Sequence, residues 1–456
     1  MALDDVLAYL HAHRQAHVDQ LCDLLRIPSI SSQSDHAPDV RRAAEFCANE
    51  LRELGLAVEI IEGDGLPLVF AQTTPRPGRP TLLMYGHYDV QPVDPLDLWT
   101  TAPFEPRIEN DILYARGSTD DKGQFYAHFK ALEAYVRTGT DLPVNLKFIL
   151  EGEEECGGHH VYRFTEQNAE KLACDAIVVS DTALYNETTP GICYSLKGLA
   201  YMEIRVSGPA QDLHSGSYGG TVQNPANALA EIIAQLKDAN GRCTVPGFYD
   251  DVLDLDADER AGFAKLGYTD DILRSETGAP AAYGEAGYTT LERMWARPTC
   301  DVNGITSGYG GQGAKTIIPA RAMAKVSMRL VPNQDPDGIA AAFCDHVRKL
   351  APAGVTVEVE NLHNANPVLV PRHSPMMQAG IRALRAGFGA EPVFIREGGS
   401  IPIVGTFQAC LKAPVLLLGY GLSTDNAHSP NEKFHLANYW NGARTSALLF
   451  HEAAGG

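Results

Sequence analysis

Short, dense apolar runs alternate along this chain with longer segments of helical spacing. Thr81-Leu82-Leu83-Met84-Tyr85, Leu146-Lys147-Phe148-Ile149-Leu150, Ala176-Ile177-Val178-Val179-Ser180 and Val415-Leu416-Leu417-Leu418 are largely apolar on both faces. Such runs predict strands covered on two sides, and the helical segments between them predict a largely parallel sheet. Asp39 to Leu54 has helical spacing and stops at Gly55, a suitable terminator. Val58-Glu59-Ile60-Ile61 and Leu66-Pro67-Leu68-Val69-Phe70 are further strand candidates, the second with a proline that suits a strand start or an edge.

The pattern changes near Gly198. Tyr201-Met202-Glu203-Ile204-Arg205-Val206 alternates as a half-exposed strand does, and a helix follows from Pro225 to Leu236. A strand around Ala324 to Leu330, a helix from Pro336 to Leu350 and a strand from Val355 to Val359 complete a set that predicts a small antiparallel sheet with helices on one face. The Gly-rich stretch between about 242 and 313 yields no assignment. After about residue 366 the first pattern returns. The expected architecture is a mixed, largely parallel α/β domain built from residues 1–198 and 367–456, with an α+β domain of residues 199–366 inserted into it.

A length of 456 residues agrees with two domains. The chain is 45% apolar and lacks any apolar tract long enough to span a bilayer, so a soluble globular protein is expected. Met1-Ala2-Leu3-Asp4-Asp5 has no basic or apolar signal region. Nine cysteines without a CxxC pair suit reduced thiols in a cytoplasm. A formal charge of −20 disfavours nucleic acid and anionic membranes as partners.

The chemistry gathers at the ends of the apolar runs. Gly86-His87-Tyr88-Asp89-Val90, Ser118-Thr119-Asp120-Asp121-Lys122-Gly123, Glu151-Gly152-Glu153-Glu154-Glu155, Ser180-Asp181 and Asp425-Asn426-Ala427-His428-Ser429 supply imidazoles and carboxylates from five separated segments. Each has a plain alternative: Asp120 precedes a helix and has the position of an N-cap, Glu153-Glu154-Glu155 reads as an acidic turn, and a single His reads as solvated. Their convergence on the strand ends, where open α/β sheets bind ligands, is what points to a site. A mixed His and carboxylate set suits two divalent cations, one carboxylate bridging both, which together activate water and polarise a carbonyl. Such a site also needs a carboxylate that is no ligand, to move the proton, and adjacent Glu154 and Glu155 can divide those roles. Asp89 is placed to accept from the far nitrogen of His87. No cysteine ligand set is present, which argues against a purely structural zinc site.

Taken in order, GHYDVQP, GSTDDKG, EGEEECG, SD, DLHSGSYGG, REGGSIP and DNAHSPNE resemble the motifs of the M20 family of co-catalytic metallopeptidases, and most closely its carnosinase-like cytosolic dipeptidase branch. The resemblance spans nearly the whole chain. It implies that His87, Asp120, Glu155, Asp181 and His428 bind two divalent ions, with zinc the first choice and manganese or cobalt possible, and that Asp120 bridges them. It implies Glu154 as general base, Asp89 as orienting carboxylate, and a cis peptide at Asp120-Asp121. The inserted domain becomes a lid that also forms a homodimer. On it, His214 in DLHSGSYGG would reach the partner subunit's active site to stabilise the oxyanion. Arg329 would hold the substrate carboxylate, and Thr316 and Ser400 would make secondary substrate contacts. One departure stands out: Thr182-Ala183-Leu184 follows the metal aspartate where animal and fungal relatives carry Asn-Tyr-Trp, so specificity on the substrate's amino side does not carry over. The expected activity is hydrolysis of dipeptides that end in a free carboxylate. The alternatives are a carboxypeptidase or N-acyl-amino-acid deacylase of the same family, or a metal-dependent binding protein without catalysis.

Overall fold

The computed structural model describes residues 2–455, which form two compact units. The first comprises the residues up to 194 together with 370–395 and those from 406 onward; the second comprises 195–369 and 396–405. The sequence pattern predicts divisions at 198 and 366, with 396–405 in the first domain; the compact units divide after 194 and 369 and place 396–405 in the second. That short return to the second unit has no composition signature.

The main sheet of the first unit has the spatial order Ala57–Ile61, Leu68–Gln72, Asn145–Glu151, Thr81–His87, Ala176–Val179, Val415–Leu417 and Gly191–Leu196, and the chain leaves the unit within the last of these. Its four central strands, Asn145–Glu151 through Val415–Leu417, run parallel, and antiparallel neighbours flank them on both sides. The centre is parallel because its strands are apolar on both faces. Thr81–His87 is buried from Leu82 onward.

Helix Lys122–Thr138 is buried along most of its length, between strand Thr81–His87 and the helices Ala2–Ala12 and Leu436–Ala453. Phe125, Phe129 and Phe148 stack edge to face at centroid distances of 5.6 and 5.4 Å. A Cβ at Gly86 would lie 2.5 Å from the Phe125 Cβ, so glycine is what lets the helix approach its strand. Two lysines are buried in this helix, and burial is tolerable because their donors are used. Lys130 Nζ donates to Gln20 and Glu133, each at 2.8 Å, and Lys122 Nζ donates to the carbonyl of Ile27 at 2.7 Å.

The second unit holds a four-stranded antiparallel sheet ordered Asp301–Ser307, Arg321–Leu330, Gly198–Ser207 and Thr356–Ala365. Burial alternates along the two central strands, as the sequence pattern requires. Ala200, Met202, Ile204, Val206, Ala324, Val326 and Met328 form a core with Leu229 and Ile232 of helix Pro225–Ala234 and Phe343 and Val347 of helix Pro336–Leu350. The other face carries Leu199, Tyr201, Lys325, Ser327 and Arg329, all half-buried. The unassigned stretch contributes helices Ala257–Lys265, Asp270–Thr277 and Thr290–Ala296 and the edge strand Asp301–Ser307. Among the described residues no helix is long and apolar enough to cross a membrane.

Candidate metal centre

Register brings the first unit's candidate residues to one level. His87 ends its strand opposite Glu151, and Tyr85 pairs with Val179, so Asp181, two residues past Val179, draws level with His87. His87 Nε2 lies 3.1 Å from Asp120 Oδ1 and 3.8 Å from Asp181 Oδ2. The second Asp120 oxygen, Oδ2, lies 2.9 Å from His428 Nε2, which is 3.1 Å from Glu155 Oε2. Two groups result, His87-Asp120-Asp181 and Asp120-Glu155-His428, and the ligand atoms of each lie within 4.8 Å of one another. Asp120 belongs to both.

These donors fit divalent cations. Each group joins an imidazole nitrogen to two carboxylates, and the fully buried His87 Nε2 has no hydrogen-bond partner among the described residues. A desolvated ring nitrogen that faces two carboxylates has the surroundings of a metal ligand. Charge argues the same way. Asp120, Asp181, Glu154, Glu155 and Asp89 crowd together, offset among the described residues by the imidazoles of His87 and His428. Burial first, then the Asp120 carboxylate, pushes Asp181 well above the usual carboxylate range. Burial and Asp120 likewise raise Glu155. Burial works against protonation of His87, yet the neighbouring carboxylates of Asp120, Asp89 and Asp181 hold its pKa well up. Hydrogen bonds to Asp120 and Glu155 raise His428 to about 10. Burial opposes ionisation of Asp120, but His428 and His87 pull it below its ordinary value. The cluster lacks positive charge, which cations would supply.

Glu154 stands apart from both groups. Its carboxylate has no hydrogen-bond partner among the described residues. Burial, reinforced by Glu155, Asp120 and Asp89 against the pull of His87, pushes it up to about 8. A carboxyl tuned to near neutrality beside a metal site can both accept and return a proton.

The supporting contacts explain why these side chains sit where they do. Asp89 Oδ1 is 3.5 Å from His87 Nδ1, but the nearer acceptor for that nitrogen is the Asp89 backbone carbonyl at 3.2 Å. The Asp89 carboxylate also accepts from the backbone N–H groups of Glu154 at 3.3 Å and Glu155 at 3.1 Å. Asp89 therefore orients the acidic turn as well as facing the imidazole. Gln91 donates to Glu155 Oε2 at 2.8 Å. The Asp120-Asp121 peptide is cis. Asp120 is not an N-cap; Asp121 occupies that position and makes no side-chain cap bond, its carboxylate accepting instead from the His87 N–H at 3.2 Å.

One residue of the DNAHSPNE motif has no role that the sequence pattern assigns. Glu432, fully buried, accepts from Arg116 at 2.8 Å and from the backbone N–H groups of Gly117, Thr119 and Asp120 at 2.9, 3.0 and 3.1 Å. It thereby shapes the loop that carries Asp120 and ties it to the segment that carries His428. Its place four residues after His428, in DNAHSPNE, was the available signal. His128, which lies in none of the motifs, also supports the site: its ring nitrogens lie 2.8 Å from the hydroxyls of Ser180 and Ser446, which fixes the strand end just before Asp181.

The remaining four candidates lie in the second unit. His214 ends the two-residue strand Leu213–His214, paired with Ile317–Ile318, and is exposed; its Nδ1 accepts from the Gly216 N–H at 3.0 Å, which leaves Nε2 free to donate. Thr316, also exposed, is held by its carbonyl, which accepts from the Ser215 N–H at 3.1 Å. Arg329 Nη1 donates to Ser400 Oγ at 3.1 Å, and that hydroxyl donates to the carbonyl of Lys197. The structure thus joins Arg329 to Ser400 and keeps His214 and Thr316 on adjoining strand ends.

The chain is similar over most or all of its length to known proteins. The family model described as peptidase family M20/M25/M40 matches residues 83–452. The Cys-Gly metallodipeptidase dug1 of Schizosaccharomyces pombe is 34% identical over 470 residues, covering 100% of this chain and 99% of that protein. The crystal structure of human carnosine dipeptidase 1 superposes with a TM-score of 0.87 at 30% identity, covering 100% of this chain and 99% of the other. An M20 family metallo-carboxypeptidase from Sulfolobus solfataricus gives a TM-score of 0.86 at 33% identity, over 96% of this chain and 99% of the other.

Proposed function

The chain belongs to peptidase family M20/M25/M40 and is a metal-dependent hydrolase of dipeptides, and we propose that it works with two ions on substrates that end in a free carboxylate. The observation that carries this reading is the sharing of Asp120, whose two oxygens face different imidazoles in two adjoining ligand groups. His87 and Asp181 would hold one ion, Glu155 and His428 the other, and Asp120 both, with zinc the first choice and manganese or cobalt the alternatives. When bound, such a pair supplies Lewis acidity and a water of lowered pKa.

The protein's own groups do the rest. Glu154 takes a proton from the attacking water and returns it to the leaving amine, a role supported by its free carboxylate and its pKa near 8. Asp89 holds His87 and the Glu154-Glu155 turn in register. His214 of the partner subunit donates to the carbonyl oxygen as negative charge builds there. Arg329 takes the substrate carboxylate through two parallel hydrogen bonds, with Ser400 fixing the guanidinium and Thr316 lining the same side. The working form is a homodimer. Its place is the cytoplasm, a setting supported by nine free cysteines.

A carboxypeptidase is the second reading, favoured by the likeness to the Sulfolobus enzyme and by Thr182-Ala183-Leu184, which offers no aromatic ring at the substrate's amino end. A panel of dipeptides, tripeptides and N-acetyl amino acids, assayed after reconstitution with Zn²⁺ or Mn²⁺, separates the readings. Preference for dipeptides is expected; faster cleavage of tripeptides would make the enzyme a carboxypeptidase, and of acetylated amino acids a deacylase.

A further inference from the structure

Lys197 is nearly fully buried in the second unit, just before strand Gly198–Ser207. Two positions on, Leu199 pairs with Arg329 on the neighbouring strand. Its backbone is fixed at both ends: the N–H donates to the Gly399 carbonyl at 3.1 Å, and the carbonyl accepts from Ser400 Oγ. The same hydroxyl accepts from Arg329 at 3.1 Å, so one serine ties the two cationic residues together.

Neither head group has a carboxylate partner among the described residues. The only hydrogen bond of Lys197 Nζ is a long one, 3.4 Å, to the Arg293 carbonyl, and Arg329 spends one of its five donors on Ser400. Burial and then the charge of Arg329 push the Lys197 ammonium down to about 8; Asp301 pulls the other way, but its carboxylate is already paired with Lys237 at 2.8 Å. Burial also lowers Arg329, with no acid to offset it. A buried ammonium that feels the charge of a half-buried guanidinium on the neighbouring strand is costly unless an anion joins them. We propose that Lys197 is a second cation for the substrate's terminal carboxylate, which it shares with Arg329. Arg329 supplies the planar fork, and Lys197 supplies a point charge that makes the subsite selective for a full negative charge over a neutral amide.

This rests on the dipeptidase reading above, and the test separates the two. KM and kcat are measured for a dipeptide and for its C-terminal amide, with the metal-loaded enzyme and its Lys197→Gln, Lys197→Arg and Arg329→Gln variants, each checked for folding by its thermal transition. Lys197→Gln should raise KM for the free dipeptide roughly ten- to hundredfold, the range for a hydrogen bond to a charged group, while the poor KM for the amide stays put and Lys197→Arg keeps most of the affinity. If Lys197→Gln does not fold, Lys197→Met carries the same comparison. An unchanged KM in the lysine variants beside a raised KM in Arg329→Gln overturns this proposal alone. Equal losses on dipeptide and amide also overturn it, because they mark a structural role. No turnover of any dipeptide by the unmodified enzyme overturns the dipeptidase reading and this proposal with it.

Discussion

At the scale of single residues, adjacent glutamates with different surroundings make a sharp test. Glu155 faces His428 and is held by Gln91, whereas the Glu154 carboxylate has no hydrogen-bond partner among the described residues and is raised to about 8. Glu154→Ala should abolish turnover and keep both ions, while Glu155→Ala should lower metal occupancy; elemental analysis of the two purified variants, beside their rates, decides it. A second residue reports on stability. Burial pushes His17 down to about 4, with Lys130 and His13 adding to the effect and Glu133 opposing it. Its folded pKa lies below the unfolded value of about 6.5, so the folded chain binds fewer protons between those limits. The stability it contributes is complete above pH 6.5 and falls away as the pH drops toward 4, by on the order of 3 kcal/mol. Urea midpoints across that window should fall more steeply for the wild-type protein than for His17→Gln. His87 and Asp181 are legible as candidates in sequence because each stands at or just beyond the end of an apolar run, and a run's end is visible without coordinates; Asp120 and His428 lie in polar loops and are legible only through their motifs. His17 and His128 are not legible, since their burial depends on helices from distant parts of the chain packing around them.

Elements explain why loops of ordinary composition hold such a site. The four parallel strands end together, but the loop from Gly117 to Asp121 is shaped by the carboxylate of Glu432, more than three hundred residues on. Glu432→Gln keeps the size of the side chain and loses the charge that accepts three N–H groups and a guanidinium. Metal affinity should fall about ten- to hundredfold, the usual range for groups behind a metal ligand, with little change in helix content. Equilibrium dialysis against Zn²⁺, alongside circular dichroism, measures both. Most elements follow from hydrophobic spacing: helix Pro336–Leu350 begins and ends as its pattern predicts, and Arg321–Leu330 alternates as expected. The stretch from 242 to 313 does not, because its helices are only seven to nine residues long and two of them, Ala257–Lys265 and Asp270–Thr277, bury few side chains or none. Two of them nevertheless start on capping boxes, Asp256 with Glu259 and Thr289 with Glu292, a local signal present in the sequence that the hydrophobic pattern alone passes over.

For the whole molecule, the proposal assigns the metal centre to one unit and His214, Arg329 and Lys197 to the other. Which subunit supplies His214 is a question that no spacing in one chain encodes, and mixing answers it. Inactive His214→Ala and inactive Glu154→Ala chains, dissociated and reassembled together, should regain part of the wild-type rate, because one site of each mixed dimer would hold both intact residues. Mixed dimers with no activity would put His214 to work within its own subunit or leave it without a role. The central claim, two ions sharing Asp120 in a working dipeptidase, is tested most directly by titrating metal-stripped protein with Zn²⁺ or Mn²⁺ while following dipeptide hydrolysis. The account predicts no turnover without metal and a plateau at two bound ions per chain. Turnover in protein that elemental analysis finds metal-free, or a plateau at one ion, would contradict it.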